Sequence, residues 1–325
     1  MNSWTFSNLW NKSLEMREER KVEPRSRLWA SELGGSAIDL WLKLKGTPAT
    51  NPPNQRSLRK FEAGNLWEAI VGHVLQRAGI LISKQKWLMY QYDGLLPVTG
   101  KLDYVAGGNI DWAAAKKYAS EELDWMPEVI KRGTLAIIDG LQEQFFMVSL
   151  KEIVLEIKSC SSFMFDVYEA TNKPSPQHEL QAYHYLKATN MEEAHIVYVC
   201  KDDCRMLELP IFLGQADIEA RYKGYISMIS EMVKNDVKPP LESLLVLTES
   251  GKVSSNWKVE YSQYLTMLYN FATPMDYRLK VDPLIGRFNR VLGRLKESKD
   301  LTEDNKKALQ EMKLYNLSIT YGHQD

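Results

Sequence analysis

Val154–Phe163 reads VLEIKSCSSF, a run with the character of a buried strand that nevertheless carries Glu156 and Lys158 two residues apart. Side chains alternate between the faces of a strand, so Val154, Glu156 and Lys158 share one face while Leu155 and Ile157 point to the other. Two opposite charges therefore project into the same space. Taken alone, such a pair reads as an exposed i, i+2 ion pair at a sheet surface, which contributes little.

An earlier stretch alters that reading. ILISKQKWLMY (80–90) and LLPVTGKLDYVAG (95–107) are both β-rich and separated by the turn-like QYDG, which predicts two antiparallel strands. The second holds Asp103 among apolar and β-branched neighbours, where aspartate is depleted. If that strand neighbours the Glu156 strand, the two carboxylates are placed to share a cation. A hard divalent ion such as Mg²⁺ binds one or two carboxylates together with water and phosphate oxygens, which suits a phosphodiester substrate. Lys158, beside two anions, is favoured as the ammonium. There it serves to orient a water nucleophile or to offset charge developing on the attacked phosphate.

The surrounding pattern alternates between strand and helix. Ser36–Lys45 predicts a short helix ended by Gly46, and 57–78 a long amphipathic helix with Leu66, Ile70 and Val74 at helical spacing and Gly79 as its stop. Residues 109–147 predict a helical insertion broken near Pro127 and Gly133, and 175–189 predict a helix. EAHIVYVCKD and RMLELPIF predict a hairpin. From Gln215 onward the pattern is mostly helical, including VEYSQYLTMLYNFA, VDPLIGRFNRVLGRLKES and LTEDNKKALQEMKLY, the last with Thr302 as N-cap. Helical potential also covers Ser13–Lys21.

The 325 residues are 44% hydrophobic, 26% charged and 10% aromatic, which excludes a mostly disordered chain and allows one large α/β domain or a core with an appended unit. At a net charge of −1, a polyanion must be met by a local basic surface. Cys160, Cys200 and Cys204 are too few for a disulfide framework, so a reducing, cytoplasmic setting is expected. The N-terminus has no apolar core of signal-peptide length and no run approaches about 18 apolar residues, so neither export nor membrane insertion is expected. Gly251-Lys252 lacks the earlier glycine of a P-loop.

The set GKLD (100–103), LEIKS (155–159) and QAYHY (181–185) resembles the PD-(D/E)XK nuclease superfamily, in particular its RecB-like and viral, lambda-type exonuclease branch. The resemblance spans about Phe61 to Lys201. It implies a restriction-endonuclease-like α/β core, a central mixed β-sheet flanked by helices, over 57–213. A helical insertion at about 109–147 interrupts it, an N-terminal helical segment (1–56) precedes it, and a helical C-terminal region (214–325) follows. It also implies a Mg²⁺- or Mn²⁺-dependent DNA nuclease, an exonuclease of recombination, repair or phage DNA processing. In that branch Asp103 and Glu156 would bind the metal with the backbone carbonyl of Ile157, and Lys158 would position or activate water. Gln181 and Tyr185, four apart on one helical face, would hold DNA or the site geometry.

By the same resemblance Glu68, in G-x-x-x-E spacing with Gly64, would complete the acidic cluster, and Gln85 in SKQKW would be a secondary contact. His73 is a rival to Glu68 but lies about 140° away around the helix, so the two do not reach one ion. One departure from the family pattern is the long insertion between Asp103 and Glu156, tolerable if its ends are close. It leaves Asp139 as a competing acid. Three cysteines cannot hold the four-cysteine iron–sulfur cluster of some relatives, and the C-x-x-x-C spacing of Cys200 and Cys204 reads as incidental. Arg287, Arg290 and Arg294 form a basic helical stripe, either solvated or contacting phosphates. DNA is the expected partner, with no membrane. The branch also admits a homo-oligomer, such as the toroidal trimer known among viral relatives, and a recombination partner protein. Two other classes stay open: a site- or structure-specific endonuclease, and a non-catalytic DNA-binding protein that keeps the fold.

Overall fold

Helices and strands alternate along the chain in the order α1 (Phe6–Glu15), β1 (Leu28–Trp29), α2 (Ala37–Leu44), α3 (Gln55–Arg77), β2 (Leu81–Tyr90), β3 (Val98–Asn109), α4 (Trp112–Lys117) and α5 (Glu128–Phe145). There follow β4 (Ser149–Cys160), α6 (Ser162–Thr171), α7 (Pro176–Thr189), β5 (Glu193–Cys200), β6 (Met206–Phe212) and α8 (Ala216–Lys234). The chain ends with β7 (Leu245–Leu247), β8 (Val253–Ser255), α9 (Trp257–Glu260), α10 (Leu265–Tyr269), α11 (Pro274–Lys296) and α12 (Glu303–Leu314). This computed structural model describes residues 5–15, 23–122, 126–145, 149–248, 250–296, 302–315 and 317. They fall into two compact units, one within 1–20, 25–34 and 54–231 and the other within 21–24, 35–53 and 232–325.

The first unit is an α/β structure built on a mixed sheet. Among the described residues six strands join in the order β1-β3-β4-β5-β6, with β2 also paired to β3. β1 runs parallel to β3 and β4 parallel to β5; β2–β3, β3–β4 and β5–β6 are antiparallel. The parallel pair β4–β5 needs a crossover, supplied by α6 and α7. α7 is buried along Leu180–Leu186 and lies over the sheet face that bears Glu156 and Lys158. On the opposite face, Trp67, Val71 and Leu75 of α3 pack against Tyr104, Leu155, Ile157, Val197 and Val199.

Several expectations are corrected here. Leu66, Ile70 and Val74 do not face the core: they are exposed, Leu66 by 62%. Apolar residues fill two adjacent i, i+4, i+8 stripes of α3, and periodicity does not say which one meets the sheet. α5 continues through Gly133, so only Pro127, just before it, marks a break. The N-terminal helix lies at Phe6–Glu15, and 16–21 of the predicted helix falls outside the described residues. α6 and the β7–β8 hairpin had no sequence expectation.

In the second unit, Leu245, Val253, Leu265, Phe288, Val291 and Met312 form an apolar core. VEYSQYLTMLYNFA is not one helix but the end of α9 and all of α10. The reason is Asp39, buried on α2, whose carboxylate accepts from Ser262 Oγ (2.8 Å) and Gln263 N (3.1 Å) and so draws the intervening backbone out of helical geometry. Thr302 caps α12 by accepting from Asn305 N. Arg287 pairs with Glu311 and lies over the Phe288 ring, while Arg290 and Arg294 are exposed.

Candidate active site

β3 shares one edge with β1 and β4, opposite the edge it gives to β2. β1 pairs only at Val98 and Thr99, and the β4 ladder stops at Tyr104↔Leu155. Among the described residues, Gly100–Asp103 therefore lack a strand partner on that edge. Into this notch Asp103 turns its carboxylate, and Oδ2 accepts the Ile157 N–H at 2.8 Å, replacing a ladder bond with a side chain. Glu156 is 1% exposed, so it is not a surface ion-pair member. Lys158 Nζ donates to its Oε1 at 2.5 Å, whereas its Oε2 is buried without a hydrogen-bond partner among the described residues.

Glu68 enters from the α3 side. Gly64, Glu68 and Gly72 form one helical stripe; Gly72 lets the helix backbone pass close over Tyr104, whereas a Cβ at Gly64 would meet Ser159 only at an ordinary contact distance of 3.6 Å. Tyr104 Oη donates to the Glu68 carbonyl at 2.9 Å, and Gln85 Nε2 donates to Glu68 Oε1. Gln85 sits between the pairs Lys84↔Tyr104 and Lys86↔Leu102, opposite Asp103, with φ of +54°. A left-handed conformation is rare for a non-glycine residue in mid-strand and costs roughly 1–3 kcal/mol.

The carboxylates burden one another. Burial, then the charge of Asp103, pushes the Glu68 pKa up to about 7, against the lowering effect of Lys101 and Lys158. Burial and the Asp103 charge also raise Glu156 despite Lys158. Asp103 is raised by burial, opposed by Lys158, the Ile157 bond and Lys101. Burial weighs against the Lys158 ammonium, but Glu156 and Asp103 outweigh it and raise its pKa. The side chain stays cationic at neutral pH.

On α7, Gln181 Nε2 donates to Tyr185 Oη at 3.1 Å, and Tyr185 Oη donates to the Lys101 carbonyl at 3.0 Å. The pair thus ties α7 to the backbone of Lys101 at the notch edge. Beside it a cavity of about 140 Å³ is lined in part by Trp29, Ser31, Trp87, Lys101, Gln181 and Tyr185. The structure therefore brings Asp103, Glu156, Lys158, Glu68, Gln85, Gln181 and Tyr185 together. His73 bonds Tyr118 Oη instead, and Asp139 pairs with Lys116 on the insertion. Lys101 was missed, although its i, i+2 relation to Asp103 was visible.

Among the described residues no three His, Cys, Asp or Glu side chains form a ready metal cage. Mg²⁺ does not require one, since it keeps several waters and uses one or two carboxylates. The orphaned Glu156 Oε2 beside Asp103, with all three carboxylates disfavoured as anions, is a donor set that fits such an ion.

No protein-family model matches the chain, and no curated protein does. Solved structures with a distantly similar course include SSO0001 (TM-score 0.41, 13% identity, 69% of this chain and 87% of that one). Others are the alkaline exonuclease LHK-Exo from Laribacter hongkongensis (0.37, 12%, 70% and 94%) and its complex with dAMP (0.36, 13%, 65% and 91%). At these scores none of the three says which residues of this chain act.

Proposed function

We propose that the protein is a divalent-metal-dependent DNA nuclease that hydrolyses phosphodiester bonds, acting from the ends of linear DNA. The observation that carries the reading is the notch where β3 and β4 part, holding Asp103, Glu156, Glu68 and Lys158 with Glu156 Oε2 unsatisfied. Asp103, Glu156 and the Ile157 carbonyl would hold Mg²⁺ or Mn²⁺, with Glu68 completing the acidic cluster. Such an ion supplies Lewis-acid polarisation of a phosphoryl oxygen and a water of lowered pKa.

The chain's own residues do the rest. Lys158, kept as the ammonium, orients the attacking water and offsets the negative charge that grows on the phosphate. Gln85 holds Glu68 in place, and Gln181 with Tyr185 fixes the backbone of Lys101 at the rim. The exposed Lys84, Lys86 and Lys101 are the local cations that a chain of near-zero net charge needs to meet a polyanion. End-directed action and a role in recombination, repair or phage DNA processing rest on the sequence resemblance. The free thiols suit a reducing compartment.

The test is hydrolysis of linear duplex and single strands with Mg²⁺ or Mn²⁺, comparing wild type with Lys158→Ala and Glu156→Gln. Both variants are expected to lose activity by at least about 10²-fold. Full activity in Lys158→Ala overturns the mechanism, and efficient cleavage of closed circles overturns the end-directed reading in favour of an endonuclease.

A further inference from the structure

The face of α7 that carries Gln181 and Tyr185 presents one more polar side chain. His178, Gln181 and Tyr185 stand at i, i+3 and i+7, a single helical stripe. Tyr185 meets Lys101 on β3, while the other end of the stripe lies over β5, where His178 Nδ1 is 2.8 Å from Tyr198 Oη. Tyr198 is the register partner of Lys158, so both project from the same sheet face. The stripe thus crosses the notch from Lys101 to Lys158. The charge that weighs on the imidazole is that of Lys158.

Tyr198 is held rigidly. It is fully buried, its ring stacks on Tyr168 at 4.1 Å, and its hydroxyl accepts the Ser175 N–H at 3.0 Å. That hydroxyl has one proton to give, for which Nδ1 and the Tyr168 hydroxyl compete; when it goes to Nδ1, the proton of a neutral imidazole sits on Nε2. Burial and the nearby ammonium keep the ring neutral, with a pKa lowered to about 3. His184, six residues along, is different: it is fully enclosed and its Nε2 is a buried atom without a partner among the described residues, as in a core histidine. His178 Nε2 is neither bonded among the described residues nor enclosed in that way.

We propose that His178 contacts the substrate, presenting its Nε2–H to a non-bridging oxygen of the DNA backbone beside Lys158. A neutral donor suits the position, because a second cation there would repel Lys158 and a carboxylate would repel the phosphate. The inference rests on the nuclease reading and adds a binding residue to it.

The experiment is a steady-state comparison of His178→Ala, His178→Asn and His178→Gln on linear DNA, with thermal melts to show that each folds. A glutamine amide nitrogen reaches the place of Nε2 and an asparagine one that of Nδ1. Alanine and asparagine should raise KM about 10-fold with a smaller change in kcat, glutamine should recover most of the loss, and imidazole ¹⁵N shifts should report the Nε2–H tautomer. Recovery by asparagine but not glutamine, an unchanged KM in the alanine variant, or an Nδ1–H tautomer overturns the inference, leaving His178 as a prop for Tyr198. A wild type that cleaves DNA while Lys158→Ala does not secures the nuclease reading whatever the His178 variants do. A wild type that cleaves nothing overturns both.

Discussion

Asp103 has two tasks at once: its Oδ2 anchors the Ile157 N–H at the point where two strands part, and its charge raises the pKa of Glu68 and Glu156. Asn at this position keeps an acceptor for Ile157 and removes the charge, so the two tasks separate. Glu68 and Glu156 have folded-state pKa values above their unfolded ones. The stability associated with their protonated forms is therefore fully present below about pH 4.5 and is lost as pH rises through about 7 for Glu68 and higher for Glu156. In the presence of a chelator the wild type should lose stability between pH 5 and pH 8.5. Asp103→Asn should lose less and exceed wild type at the upper pH by about 1–2 kcal/mol, while its hydrolysis falls by at least about 10²-fold. Thermal melts across that range check it, and equal slopes for the two proteins would refute the repulsion argument. The charges that sequence could reveal were those whose parity or depletion is local: Glu156 and Lys158 by alternation, Asp103 by its place in a strand. The left-handed Gln85 and the contribution of Lys101 depend on how β2, β3 and α3 meet, and no local pattern carries that.

At the scale of elements, two contacts position the site and each has its own test. Tyr185 on α7 donates to the Lys101 carbonyl and accepts from Gln181. Tyr185→Phe removes the hydroxyl that makes both bonds, so it should lower stability by about 1–2 kcal/mol and kcat by about 10-fold with KM little moved, as measured by melts and steady-state kinetics. Gly72 on α3 lets the helix pass over Tyr104: a Cβ there would lie 2.7 Å from Cζ of that ring. Gly72→Ala should therefore cost about 1–3 kcal/mol, with part of the loss recovered in the double variant carrying Tyr104→Phe, which a double-mutant cycle measures. The sequence placed Gln181 and Tyr185 together on one face, but the Tyr185–Lys101 bond and the passage of Gly72 over Tyr104 were not legible beforehand. The existence of α3, β2, β3, β4, α7, β5 and β6 was, because α3 shows apolar residues at helical spacing, the strands are β-rich runs, α7 follows Pro174 and opens on Pro176, and most are bounded by Gly, Pro or Asn. Which stripe of α3 faces the sheet was not, because Leu66, Ile70 and Val74 match the spacing of Trp67, Val71 and Leu75 one residue away.

Across the whole molecule, the chain leaves the sheet unit after β1, contributes 35–53 to the second unit and returns at α3. Composition along the chain gives no sign of this, since α2 reads as an ordinary amphipathic helix until Asp39 is seen bonding Ser262 and Gln263. The first unit carries the acidic notch, and its carboxylates are disfavoured as anions in the absence of a cation. A divalent ion that binds only the folded state should therefore stabilise the protein by RT ln(1 + [L]/Kd), about 2.7 kcal/mol at a hundredfold excess over Kd. Protons compete for the same oxygens. The rise in Tm on adding Mn²⁺ should thus be large at pH 8, where Glu68 must ionise past its raised pKa of about 7, and small at pH 5.5. Calorimetry with and without Mn²⁺ at the two pH values checks this, with Asp103→Asn as the control in which the rise is largely lost. A rise of equal size at both pH values, or one retained in Asp103→Asn, would place the ion away from these carboxylates.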